Sequence, residues 1–357
     1  MKLIFKSIKK FFSNRNLMLT YGALALVLLF VVFANMFLDR YVVRILNNCA
    51  IYVVLGLSMN LINGFTGLFS LGHAGFMAVG AYVTALLTMS AATKAQNFFM
   101  VPIVKPLENI SLPFLPALLI AGLLSAFVAF LIGAPVLKLK GDYLAIATLG
   151  FAEIIRIVFT NTQSITNGAL GIKGIPNTTN LWWTFGIALF TIFFMRQLIN
   201  SSYGRALKAI REDEIAAESM GINLFKHKLL SFMIGAFFAG VGGGLLGNLL
   251  GTIDPNMFKF PLTFNILLII VLGGMGSITG TIISAFVITI AGEALRFLDE
   301  GFLFIPAISG LRMVVFSALL MVVVLFFSKG LMGTREFSWN KFISIITRKP
   351  LQKGGNE

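Results

Sequence analysis

"NGFTGLFSLGHAGFMAVGAY", Asn63 to Tyr82, holds five glycines, one histidine and no charged residue. It lies inside Ile45 to Thr93, 49 residues without a single Lys, Arg, Asp or Glu. A helix that crosses the hydrocarbon core of a bilayer needs about 20 apolar residues. The run is therefore long enough for two spans with a tight turn between them. Gly64 and Gly67 are expected in that turn. Gly72, Gly75 and Gly80 would then thin the second span, so that another backbone can approach closely. Asn60, Asn63 and His73 would be the polar content of a narrow route beside it. His227 is the only other histidine, so His73 has no metal-ligating company. It reads as a buried, hydrogen-bonded side chain or as a pH-sensitive residue on a pathway.

Working outward, the whole chain has the same character. Of its 357 residues, 57% are hydrophobic and 12% charged, and mean hydropathy is +0.91. A soluble domain could not hide that much apolar surface. The fold class is all-α: a polytopic membrane protein of nine to ten helices, some of them short or broken. The net charge of +14 would suggest nucleic acid in a soluble protein, but here the basic residues cluster at span ends and tails, so no nucleic-acid partner is expected and membrane lipid is. The single cysteine, Cys49, excludes an internal disulfide.

Charge-free segments give the spans. They are Asn16–Leu38, two within Ile45–Thr93, Asn109–Leu137, Tyr143 to about Thr160, Gly174–Met195, Leu229–Ile253, Phe260–Gly292 and about Phe304–Ser328. Phe260–Gly292 is one tilted span or two short ones broken at "GGMGS". With the N-terminus inside, ten crossings put 19 Lys and Arg on the inner side and 8 outside, whereas nine crossings give 15 and 12. The positive-inside bias favours ten, with both termini cytoplasmic. The organisation expected is a basic N-terminus over 1–16, which reads as the start of a retained anchor, a membrane domain over 17–328 and a basic tail over 329–357. The tail reads equally as a short interfacial helix or as a disordered segment.

Three further motifs carry chemistry. Glu153 and Arg156, spaced i,i+3 inside a span, can meet on one helix face and are either a pathway pair or a structural ion pair. Gly243, Gly247 and Gly251 recur every four residues and would form a smooth packing face, like Gly72 and Gly75. The cytoplasmic loop, about 197–228, contains "YGRALKAIREDEIAAESMGIN", which reads as a charged helix broken at Gly221-Ile222-Asn223 and suited to a partner's groove. The chain has no G-K-[ST] triplet, so it forms no Walker A loop, and any ATP would be bound by another subunit.

The loop sequence "DEIAAESMG" resembles the EAA loop of ABC importer permeases, although the usual I-x-L-P element downstream is replaced by "LLSFMIG". Together with "GLSMNLINGFTGLFSLGHAGFMAVGAY", "LKLKGDYLAIATLGFAEIIRIV", "TNGALGIKGIP" and "VLGGMGSITGTIISA", it is similar to the LivM-type permeases of branched-chain amino acid ABC importers, from about Leu46 to Ser328. The urea-import permeases are close relatives of that family. The resemblance implies import of Leu, Ile or Val and location in a bacterial inner membrane. It implies a second LivH-type permease, two P-loop ATPase subunits carrying ATP and Mg, and an external solute-binding protein. The chain itself would bind no cofactor or metal and catalyse nothing. By the same resemblance Arg211, Asp213, Glu214, Ala216, Ala217 and Gly221 would couple to the ATPases. The rival from another class is an ion-gradient-driven carrier that works through Glu153.

Overall fold

The computed structural model describes residues 15–296 and isolated positions between 311 and 336. The last expected span, Phe304–Ser328, with Arg312 in it, falls outside the described residues apart from those positions, as does the basic tail. The chain divides into two compact units, 1–43 with 335–357, and 44–334. The described part of the first is essentially one helix, α1 (Arg15–Phe37).

The second unit is helical, beginning within α2 (Arg40–Asn60). That helix runs on through a π-turn, Leu61–Phe65, so that Arg40–Phe65 is a single 26-residue apolar rod. Gly67, at φ +76°, reverses the chain. Then follow α3 (His73–Thr88), α4 (Ala91–Asn97), α5 (Lys105–Glu108), α6 (Phe114–Val136), α7 (Asp142–Asn161) and α8 (Gln163–Thr166). A two-residue strand β1 (Ile172–Lys173) precedes α9 (Leu181–Asn200), α10 (Ser202–Glu212), α11 (Glu214–Ser219) and α12 (Leu224–Leu250). Strand β2 (Thr252–Ile253) leads to α13 (Phe260–Gly273) and α14 (Ile278–Ala294). Five of these helices are long and apolar enough to cross a membrane, and four shorter apolar ones accompany them among the described residues.

The helix starts follow from capping chemistry. Asn180, Ser201, Asp213, Asn223 and Ser277 each accept a hydrogen bond from a first-turn backbone N–H, which satisfies donors that no helix can satisfy internally. The core is built by α3, α6 and α12. Gly80 of α3 lies so close to the Gly240 backbone that a Cβ has no room, and Gly243 lies equally close to the Met77 carbonyl. Such contact gathers dispersion over two bare backbones, the main attraction available where lipid is as apolar as the side chains. Ser125 of α6 donates to the Phe76 carbonyl at 3.2 Å, and Phe76 meets Phe232 of α12 edge to face.

Phe260–Gly292 is two helices. Gly274 (φ +108°) and Gly276 (φ +91°) hold backbone conformations that side chains resist, and they break it after Gly273. Ser284 Oγ of α14 donates to the Ile269 carbonyl of α13 at 2.6 Å, pinning the pair.

The structure corrects four boundaries. Gly64 belongs to the π-turn and not to the reversal, which falls to Gly67. The sixth span starts at Leu181 because residues 171–180 are not helical: Ile172–Lys173 pairs antiparallel with Thr252–Ile253, and Gly171 and Gly174 stand at positive φ. The seventh span stops at Leu250 because Gly251 turns left-handed at φ +73°. Gly251 is therefore a helix cap and not part of the face carrying Gly243 and Gly247. Finally, the charged loop helix is divided at Asp213, whose capping side chain starts a second helix.

Candidate functional site

Two backbone breaks meet at one end of the helical body. Asn60, the last residue of α2, is fully buried. Its Nδ2 donates to the Ser277 carbonyl at 3.0 Å and to Thr281 Oγ1 at 2.7 Å. Its Oδ1 accepts from the Gly276 N–H at 2.8 Å. One amide thus fastens the Gly274–Ser277 break to the start of the π-turn. Each such bond contributes about 0.5–1.5 kcal/mol net, and a buried group left without a partner costs about 1–3 kcal/mol.

Asn63 closes the next loop reciprocally, donating to the Ser70 carbonyl at 3.2 Å and accepting from the Ser70 N–H at 3.3 Å. The first turn of α3 is satisfied from α13, where Thr263 Oγ1 accepts from the Ala74 N–H at 3.0 Å. His73 Nε2 lies 2.8 Å from Ser58 Oγ, which itself donates to the Leu55 carbonyl at 2.7 Å. The imidazole is thus held against the Ser58 hydroxyl, with the direction of that bond set by its tautomer. Asn60, Asn63 and His73 are all brought together near this knot. They are buried and bonded to protein, and they hold segments in place.

Arg211, at the end of α10, joins the loop to the knot. Its Nη1 donates to the Gly64 carbonyl at 3.0 Å, an acceptor left open because the π-turn is closed instead by Thr66 N–H to Leu61 O and Leu68 N–H to Ile62 O. Its Nε and Nη2 hold Glu212 Oε1. Gly67 packs on the Arg211 stem, and Gly276 is close enough that a Cβ would lie 2.7 Å from Nη1. The guanidinium therefore sits between the π-turn and the Gly274–Ser277 break. Nothing in the loop sequence alone signals this inward reach.

The other loop candidates separate into two groups. Asp213 caps α11 through Oδ1, accepting from the Ile215 and Ala216 N–H groups at 2.8 and 3.0 Å. Glu214 Oε1 pairs with the buried Lys228 Nζ at 2.5 Å, which ties α11 to α12. Ala217 is buried, and Gly221 ends α11 at φ +81° with open space around it. Ala216 faces outward, as do Ile215 and Met220, which are 77% and 83% exposed. Those two bulky apolar residues extend the outward face, and a sequence reading centred on the acids and alanines passes over them. Tyr203 donates to the His227 carbonyl at 2.7 Å and stacks on the His227 ring at 5.0 Å. Burial raises the Tyr203 pKa and keeps that hydroxyl a donor.

Glu153 and Arg156 meet at 2.6 Å on α7. They stand apart from the knot. Gly72 and Gly75 pack on the Thr148–Ala152 side of α7, while the Glu153 side chain is 48% exposed. Only 22% of the apolar window of α7 is buried, against 78% for the Arg40–Phe65 rod and for α12. No cluster of three or more metal-ligating side chains occurs among the described residues.

A family model described as branched-chain amino acid transport system / permease component matches residues 41–329. The chain belongs to this family. It is 36% identical over 296 residues to the high-affinity branched-chain amino acid transport system permease protein LivM of Escherichia coli, covering 73% of this chain and 65% of that protein. It is 28% identical over 262 residues to a probable LivM permease of Methanocaldococcus jannaschii, covering 64% and 74%. The LivH permease of Salmonella typhimurium is 26% identical over 306 residues, covering 80% and 92%. The chain spans just under two thirds of the length of the enterobacterial LivM proteins it matches. No solved structure matches. The family is one of transport permeases, and its matched region takes in the knot, the charged loop and both broken segments.

Proposed function

We propose that the chain is the membrane-spanning permease subunit of an ATP-driven importer of Leu, Ile and Val. In this reading a LivH-type permease stands beside it, two P-loop ATPase subunits carry ATP and Mg on the cytoplasmic side, and an external solute-binding protein delivers the cargo. The membrane is the bacterial inner membrane, with both termini cytoplasmic, and residues 17–328 form the permease domain. The α10–α11 pair is the docking element. Its outward face is Ile215, Ala216, Met220 and Gly221, with Glu212 and Glu218 exposed beside it. Asp213, Glu214 and Ala217 hold that pair in shape. Displacement of α10 by the ATPases moves Arg211, and Arg211 pulls on the two backbone breaks. Helices packed backbone to backbone shift as rigid bodies, so a displacement at the knot becomes a change in helix tilt.

The observation that carries this reading is the Arg211–Gly64 bond, a direct mechanical link from a charged loop helix to the broken spans. It is supported by membership of a permease family and by the absence of a G-K-[ST] triplet. The test is to tag the chain, solubilise it gently from its native membrane and identify what accompanies it by mass spectrometry. Uptake of labelled leucine and urea by the recovered complex in proteoliposomes follows. P-loop ATPases, a second permease and ATP-dependent leucine uptake are expected. ATP-dependent urea uptake in place of leucine would change the cargo alone. Recovery of this chain by itself, with uptake that collapses with the proton gradient, would make it a carrier working through Glu153.

A further inference from the structure

Of the five long apolar helices, α7 is the least covered. One side of it packs on the chain, with Leu144, Ala145, Thr148 and Ala152 buried. The opposite side, made by Tyr143, Ile146, Gly150, Glu153, Ile154 and Ile157, is exposed throughout. These positions recur at intervals of three and four residues, so they form one strip along the helix. The strip differs in kind from the exposed side of α6, where every exposed residue is apolar, an ordinary surface for lipid. Glu153 stands near the middle of its span, about 16 Å along the helix from Asp142 and about 12 Å from Asn161 at 1.5 Å per residue. Arg156 Nε donates to Glu153 Oε2. Beyond that bond, Glu153 Oε1 and the two Nη groups of Arg156 have no partner among the described residues. Charges at membrane depth are costly, and they face protein or a water-filled passage in preference to hydrocarbon.

We propose that the exposed strip of α7 is the face on which the second permease packs, with Glu153 and Arg156 in the seam between the two subunits. The proposal rests on the importer reading and names the surface through which this chain meets that partner. The strip runs the length of a helix that crosses the membrane, so whatever covers it lies in the membrane too. In that reading the ATPases are cytoplasmic and the solute-binding protein is external, and the second permease alone among the partners has helices at this depth. Lipid tails have no group to offer Glu153 Oε1 or the Arg156 Nη atoms. A neighbouring protein helix supplies a donor and an acceptor directly, or through water held in the seam. Gly150 fits the same role. A Cβ there would meet nothing within 4 Å in this chain, and a bare backbone in the middle of the strip lets another helix approach closely. The seam also gives the ion pair a place in the assembly, although it does not touch the Arg211 knot.

The test places the photoreactive residue benzoylphenylalanine at Ile154 of the full chain in its native membrane, with Leu123 on the exposed side of α6 as the control position. On irradiation, Ile154 is expected to join this chain to the second permease, identified by mass spectrometry, and Leu123 is not. In parallel, Gly150→Trp is expected to lower the amount of second permease that co-purifies at least fivefold, while the chain still inserts in the membrane. Leu123→Trp is expected to leave that amount unchanged. If Gly150→Trp does not insert, the Ile154 crosslink decides alone. Crosslinks from Ile154 only to lipid, to a second copy of this chain or within the chain overturn the seam, and so does unchanged co-purification by inserted Gly150→Trp. Either result leaves the importer reading intact where the second permease accompanies the wild type. Failure of the wild type to recover or crosslink any second permease overturns that reading and the seam with it.

Discussion

The two ends of the helical body are fastened in different ways. At the Arg211 end the chain is broken twice, in the π-turn and at Gly274–Ser277, and single side chains link one break to the other. At the other end the fastening is mostly backbone. Ile172–Lys173 pairs with Thr252–Ile253, and the Ile175 N–H donates to the Gly251 carbonyl at 3.0 Å. Asn97 exchanges two bonds of 2.8 Å with the Lys173 backbone. Lys94 is fully buried and donates to the Leu107 and Ile110 carbonyls at 2.7 and 2.6 Å. Backbone bonds predominate at that end, whereas at the knot the side chains of Asn60 and Arg211 join the two breaks beside two backbone bonds, Leu331 N–H to the Leu272 carbonyl at 2.7 Å and Met332 N–H to the Gly273 carbonyl at 3.2 Å. A joint that passes through one or two side chains can be moved by a push on one of them. A clip of distributed backbone bonds stays shut.

This contrast can be broken most severely at Asn60. Asn60→Leu leaves the Gly276 N–H without its acceptor, a cost of about 1–3 kcal/mol, and removes the donor to Ser277 and Thr281 as well. The expected result is a large drop in the unfolding temperature of the detergent-purified protein and little assembled complex. An unfolding temperature equal to that of the wild type would mean that the knot is not held by this amide.

Arg211→Ala sharpens the contrast by acting on motion and not on assembly. Partly exposed, its loss is expected to be tolerated by the fold. Uptake is expected to fall at least tenfold while ATP hydrolysis by the complex persists. Arg211→Lys reaches one acceptor and lacks the planar fork, so intermediate coupling is expected. Equal losses of hydrolysis and uptake would place Arg211 in docking and not in transmission.

The smallest effect is expected at the clipped end. Burial lowers the Lys94 pKa from the ordinary lysine value of 10.5. Between the lowered value and 10.5 the unfolded chain binds more protons, so the contribution of Lys94 to stability increases as pH rises through that window. The stability of the wild type relative to Lys94→Met is expected to improve between neutral pH and pH 10 in thermal unfolding. A difference that does not change with pH would show that this lysine titrates alike in both states.

The sequence made the helical, membrane-spanning character legible because charge-free runs of bilayer length have few other uses. The reversal near Gly67 was legible because 49 uncharged residues are too long for one span, and "GGMGS" marked where Phe260–Gly292 could break. The starts and ends of spans six and seven were not legible. Residues 171–180 carry one charge, and the strand at Ile172–Lys173 depends on pairing with Thr252–Ile253, about eighty residues away. The roles of Asn60 and Arg211 were hidden in the same manner, because each bonds to backbone groups far along the chain. A side chain that binds distant carbonyls leaves no periodic trace.

The contact of Gly80 with Gly240 has a consequence for how the chain is made. The two residues are 160 positions apart, and synthesis at about 5–20 residues per second delivers the second roughly ten to thirty seconds after the first. Until then α3, only 16 residues or about 24 Å long, is shorter than the roughly 30 Å hydrocarbon layer it enters and has α6 but not α12 of its two core partners to pack on. The newborn helix must wait, half-covered, for a companion that is still being translated.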